Sequence, residues 1–189
     1  MKPCVSSCNW WKMPPDHARN PVLERSRKTI QDNTRICSFS AVRDSILMWG
    51  HYARDHKGFC IEYDVDSSFD EIRRRMLCPV VYSNELFDAT KYFEAAILDS
   101  TKSNNTFALV AALYKSPEWA YEQEWRLIYP GGIVAMGNYQ MGTPSRVFLG
   151  TKITDADRTQ IMAICRAKKI ECWQMRLSMN SFKLEAEPS

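Results

Sequence analysis

The sequence has no long apolar run. Its longest, Phe107 to Tyr114, is about eight residues, far short of the ~20 that a membrane-spanning helix requires. Met1-Lys2-Pro3-Cys4 carries no apolar signal core, so a cytoplasmic protein away from the membrane is expected. An excess of one charge is missing as well: 25 Lys plus Arg against 22 Asp plus Glu leave a net charge of +3. A general nucleic-acid binder would carry a larger and clustered basic excess, so that class receives no support. Glycine-rich phosphate loops are also absent. Neither GxGxxG nor GxxxxGK followed by Ser or Thr occurs, which argues against Rossmann and P-loop folds.

Disulfides are not needed either. A chain of 189 residues buries roughly 70% of its unfolded surface and holds a core without staples. Its seven cysteines are an odd number. Cys37, Cys60 and Cys172 sit in strand-like stretches and Cys165 on the apolar face of a predicted helix, so buried packing accounts for them. Cys4, Cys8 and His17 could open a metal site, but no second pair at ligand spacing follows them.

What is present is ordinary globular material, 45% apolar and 25% charged. Residues 1–21, rich in Trp, Pro and Cys, read as an irregular arm, 22–185 as a single α+β domain and 186–189 as a tail. Val22 to Gln31 reads as a short surface helix. Strands are expected at Arg35 to Ser40, Gly58 to Asp64, Cys78 to Tyr82, Glu122 to Tyr129, Arg146 to Leu149, Ile170 to Leu177 and Phe182 to Leu184. Helices are expected at Asp44 to His56, Ser68 to Arg75 and Leu86 to Ile97. Two more start after Thr106 and Thr154, both of which can cap. Strands and helices mix without a βαβ rhythm. An α+β fold with a mixed, mostly antiparallel sheet flanked by helices follows.

Three constellations could carry chemistry. In a strand, residues two apart point the same way. Glu122, Glu124 and Arg126 then share a face with Ile128, while Gln123, Trp125, Leu127 and Tyr129 form the other, core-like face. The two carboxylates stand about 7 Å apart at Cα. A solvated Glu–Arg ladder would look the same, each exposed pair contributing under ~1 kcal/mol. A cleft lined by two carboxylates could instead stabilise positive charge at an anomeric carbon. The second constellation is Ser38 and Ser40, two hydroxyls on one strand face, able to meet a ligand or a neighbouring carboxylate. The third is His51 and Tyr52 near His56-Lys57-Gly58, a possible wall of a nucleotide pocket.

Taken in order, several of these residues resemble a bacterial domain-of-unknown-function family, number twenty-nine seventy-one. The shared signature is Phe39-Ser40, Met48-Trp49, His51-Tyr52-Ala53, His56-Lys57-Gly58 and Cys60-Ile61-Glu62. Lys115, Trp119, Tyr121-Glu122, Glu124-Trp125-Arg126 and Leu149-Gly150 complete it. A more distant similarity is to the Arg–Ser–Glu class of ADP-ribosyltransferases, whose Ser-Thr-Ser strand Ser38-Phe39-Ser40 resembles. Glu122-Gln123-Glu124 resembles that class's Glu-x-Glu strand, with Ser116 to Tyr121 as its target-recognition loop. Before Ser38 the chain offers Arg19, Arg25, Arg27 and Arg35, with no pattern that selects one for the class's first strand.

That resemblance implies Glu124 as catalytic glutamate, Glu122 as the group that orients the acceptor, and Ser38 or Ser40 as braces. It implies NAD as the substrate, a small-molecule nucleotide contacted by Ser38, Ser40, His51, Tyr52 and Arg126. An unknown macromolecular acceptor would meet Trp119 and Tyr121. The expectation is an ADP-ribosyltransferase-like enzyme of toxin or phage-defence type. The rival is a non-catalytic nucleotide- or protein-binding module that uses the same residues as a polar rim.

Overall fold

A computed structural model of the chain describes residues 11–12, 28, 32, 34–98, 107–129 and 141–189. The expected arm and Val22–Gln31 helix (apart from residues 11–12 and 28), the Thr106 cap and the Cys4, Cys8 and His17 trio lie outside the described residues. In chain order the elements are β1 (Trp11–Lys12), β2 (Arg35–Ser40), α1 (Ile46–Tyr52), β3 (Phe59–Glu62), α2 (Val65–Ser68) and α3 (Glu71–Met76). There follow β4 (Leu77–Pro79), β5 (Val81–Tyr82), β6 (Phe87–Asp88), α4 (Thr90–Leu98), α5 (Phe107–Ala111) and β7 (Tyr114–Lys115). A 3-10 helix (Pro117–Glu122), β8 (Glu124–Tyr129), β9 (Arg146–Leu149), α6 (Asp155–Lys168), β10 (Glu171–Leu177) and β11 (Leu184–Pro188) complete the series. The fold is α+β with mixed sheets. No helix among the described residues is long and apolar enough to cross a membrane.

The chain forms two compact units. One comprises Met1–Phe39 and Arg75–Asn138, the other Ser40–Arg74 and Tyr139–Ser189. In the first, β8 is the middle strand of the sheet β2-β8-β4. β4 runs antiparallel to it, Cys78 opposite Arg126. A short parallel ladder sets Tyr82 of β5 opposite Lys115 of β7. Its core is aromatic: Phe93 and Phe107 meet edge to face at 5.1 Å, Tyr92 stacks on Phe107 at 5.3 Å, and Ala89, Ala108 and Ala111 fill between them. Small residues at those three positions let the rings approach.

In the second unit the sheet order is β11-β10-β9-β3. β9 and β10 are parallel and joined through α6, while β11 and β3 pair antiparallel on either side. The alternation of β9 divides two cores. Val147 and Leu149 pack with Cys165 of α6, and Phe148 packs with Trp49, Met175 and Leu184. Trp49 is anchored as well as buried, since its indole N–H donates to the Arg43 carbonyl at 2.7 Å. Ser45 caps α1, and Thr154 caps α6 by accepting from the Asp157 N–H at 3.2 Å.

Arg54, Asp55 and His56 are all left-handed, with φ of 51°, 53° and 65°. A non-glycine residue there costs on the order of 1 kcal/mol. The turn is held by His56 N–H to the Trp49 carbonyl at 3.2 Å and Gly58 N–H to the Ala53 carbonyl at 2.7 Å. Lys152 N–H donates to the His56 carbonyl at 3.0 Å. A Cβ at Gly150 would strike that same carbonyl oxygen and come within 2.8 Å of the Gly58 carbonyl oxygen. Only glycine fits there.

Several sequence expectations are corrected. α1 covers only Ile46–Tyr52 of the expected Asp44 to His56, because the left-handed turn ends it. Cys37 is exposed rather than packed, whereas Cys165 is buried. Phe182 is fully exposed. The closing strand begins only at Leu184 and runs on to Pro188, into the expected tail.

Candidate functional site

The densest polar cluster in the first unit surrounds Glu122 and Glu124. Pro117 starts the 3-10 helix that carries Trp119, Tyr121 and Glu122, and Gln123 ends it in the left-handed region, φ 44°. That single residue breaks the strand expected from Glu122, so the pairing of faces read from the sequence fails. β8 begins at Glu124, and Glu124 is buried while Trp125 is 38% exposed. The carboxylates are on the inside. Glu122 is 3% and Glu124 6% exposed, not the solvated ladder that exposed strand residues would form.

Buried carboxylates need partners. Lys115 Nζ lies 2.8 Å from Glu124 Oε2 and also bonds Glu122 Oε2. Arg126 forks onto Glu124, Nε to Oε1 at 2.8 Å and Nη2 to Oε2 at 3.1 Å. Its Nη1 donates to the Ala112 carbonyl. The Glu124 N–H donates to the Tyr82 hydroxyl at 2.9 Å. Two carboxylates thus face two cations. Burial opposes charge on Glu124, but hydrogen bonds from Arg126, Lys115 and Ser38 outweigh it, and the pKa falls from 4.5 to about 2. Burial likewise disfavours the Lys115 ammonium, yet its bonds to Glu122 and Glu124 raise its pKa.

Of the residues singled out in the sequence, the structure brings Glu122, Glu124, Arg126 and Ser38 together. Trp119 joins them through Lys115, whose ammonium sits over the indole ring 5.1 Å from its centroid. Tyr121 lies against Trp119 at 6.0 Å between ring centroids. Ser40, His51 and Tyr52 belong to the other unit. There the Ser40 hydroxyl donates to the Val42 carbonyl and accepts from the Val42 N–H. His51 and Tyr52 meet edge to face at 6.3 Å on the last turn of α1, both exposed.

Sequence reasoning passed over Tyr82 and the bridging role of Lys115. The signal for Lys115 is its place directly after the apolar run Phe107 to Tyr114, where a half-buried ammonium needs a partner such as a carboxylate, and Tyr82 has no such signal. Among the described residues, no group of three or more His, Cys, Asp or Glu could hold a metal ion. Chemically, a carboxylate with a pKa of about 2 is a permanent anion at neutral pH. It can stabilise a developing cation or orient a hydroxyl, but it cannot serve as a general acid.

No curated protein and no solved structure matches the chain. Residues 48–127, which hold Tyr82, Lys115, Trp119, Glu122, Glu124 and Arg126, match the model of a family described as a protein of unknown function, DUF2971.

Proposed function

We propose that this chain is an ADP-ribosyltransferase-like enzyme that consumes NAD, acts in the cytoplasm and uses Glu124 as its catalytic carboxylate. The observation that supports this reading is the Ser38–Glu124 pair. A strand serine and a buried, permanently ionised glutamate stand together, in the order that the ADP-ribosyltransferase resemblance implies. When the glycosidic bond of NAD breaks, its electron pair leaves with the nicotinamide nitrogen and positive charge develops at the ribose C1 carbon. A fixed anion whose dipolar surroundings need not reorganise lowers the energy of that state. Glu122, beside it on Lys115, would orient the acceptor nucleophile, and Trp119 and Tyr121 would contact the acceptor. Lys115 and Arg126 would keep their bonds to Glu124, holding it ionised, and Arg126 would meet the dinucleotide with its remaining N–H groups.

A second reading rests on a different observation: the cluster is already neutral, two carboxylates against two cations, with every one of these groups partnered. That completeness favours a non-catalytic binding module whose cluster holds the 3-10 helix against β8. Nicotinamide release from NAD, with cell lysate as acceptor source, separates the two. Release by the wild type that vanishes in a folded Glu124→Gln protein supports the enzyme. If neither protein releases nicotinamide and NAD leaves the melting temperature unchanged, the enzyme reading fails.

A further inference from the structure

The second unit contains a cavity of about 620 Å³ between the Ala41–Asp44 segment and one face of β9, β10 and β11. Its floor is Phe148, Met175 and Leu184, each at most 3% exposed, and Trp173 lines it as well. The Trp173 indole is held in place by its N–H, which donates to Glu171 Oε2 at 3.2 Å. Arg43 and Arg146 complete the lining. Arg43 lies over the Phe148 ring, 5.1 Å from its centroid, which fixes the guanidinium above the apolar floor.

The two arginines share a carboxylate. Glu62 Oε2 is 3.0 Å from Arg43 Nη1, and Glu62 Oε1 is 3.4 Å from Arg146 Nη1. One half-buried carboxylate therefore orients both guanidiniums, whose side chains are 50% and 40% exposed. Glu171 also reaches Arg146, at 3.4 Å, so the two guanidiniums are balanced by two carboxylates, and an anion would be held by their remaining N–H donors and not by net charge. Asp44 in the lining is answered by Lys183 at 3.0 Å, and Glu185 at the rim stands exposed. Each guanidinium carries five donors, and Glu62 and Glu171 occupy only some of them. The remainder can fork onto an anion.

A volume of this size, a fixed indole on an apolar floor and a pair of pre-positioned arginines together define a ligand chemistry. We infer that this cavity binds a planar aromatic molecule carrying one phosphate or carboxylate, the ring against Trp173 and the anion on Arg43 and Arg146. This site lies within one unit and shares no residue with the Glu122–Glu124 cluster.

Calorimetric titration of the intact protein with adenosine monophosphate, adenosine, naphthoate, naphthalene methanol and inorganic phosphate tests it. At least one ring-plus-anion probe should bind about ten-fold more tightly than its uncharged ring and than phosphate alone, the scale of one charge-assisted hydrogen bond. Preference for adenosine monophosphate assigns phosphate esters to the site, and preference for naphthoate assigns carboxylates. Arg146→Gln should weaken that probe about ten-fold. Ala186→Phe, which fills the cavity from the β11 side without removing a charge, should abolish binding. The inference is overturned if the anion adds nothing to affinity for either ring, or if Ala186→Phe binds like wild type with an unchanged melting curve. Neither substitution lies in the unit that holds Glu124, so loss of NAD turnover and loss of binding here read out separately.

Discussion

Replacing Glu124 by Gln should weaken the fold by an amount that depends on pH in a specific way. The folded pKa of about 2 stands roughly 2.5 units below the ordinary 4.5. At 1.36 kcal/mol per unit, ionised Glu124 contributes about 3 kcal/mol at neutral pH. The sign follows from the depressed pKa. Stability is fully present above the unfolded value and is lost as pH falls from about 5 through 4.5 towards 2. By pH 3.5 somewhat under half of the contribution is gone. Glutamine has no proton to gain, so the stability gap between wild type and Glu124→Gln should be about 3 kcal/mol at pH 7 and about 2 kcal/mol at pH 3.5. Urea unfolding at pH 7, 5, 4.5 and 3.5 measures both. A gap that stays constant across that range would refute the reasoning, because the cost would then come from lost packing and not from charge.

Gly150→Ala forces a methyl group onto the His56 carbonyl, and the thermal midpoint should show a loss of at least about 2 kcal/mol. Thr154→Ala removes the acceptor for the Asp157 N–H and should cost about 1 kcal/mol, read from urea midpoints with an unchanged slope. A loss below about 0.3 kcal/mol there would mean that α6 does not depend on its cap.

The regular elements were legible wherever local chemistry dictates them. Arg146–Leu149 is a short run ending in Val, Phe and Leu, and it forms a strand with those bounds. The Thr154 cap and the helix beyond it follow from short-range hydrogen bonding alone. Where the reading failed, the cause was non-local or a single torsion. Gln123 looks like an ordinary strand residue, yet its left-handed conformation turns the glutamates inward and leaves Trp125 half exposed. Burial of Glu124 depends on Lys115 and Arg126 being present to neutralise it, and Lys115 is brought there by the β5–β7 ladder, a pairing across more than thirty residues. Likewise Arg54 to His56 carry no glycine to announce a left-handed run. Tertiary hydrogen bonds impose it. Ser38 meets Glu124 because β2 and β8 are neighbouring strands, and the sequence offers only a strand hydroxyl able to meet a neighbouring carboxylate, without saying which.

Each unit is built from two separate stretches of chain, and the polypeptide passes between them after Phe39, Arg74 and Asn138. During synthesis, β2 and β4 therefore leave the ribosome well before β8, the strand that both of them must join. β3 likewise waits until β9 is made. For most of translation the nascent chain carries unpaired edges that no local partner can satisfy. Neither unit can be obtained by trimming one end of the gene. A separable version would require a circular permutation or a linker joining 39 to 75, and the contacts that close the two sheets set a slow, late folding step.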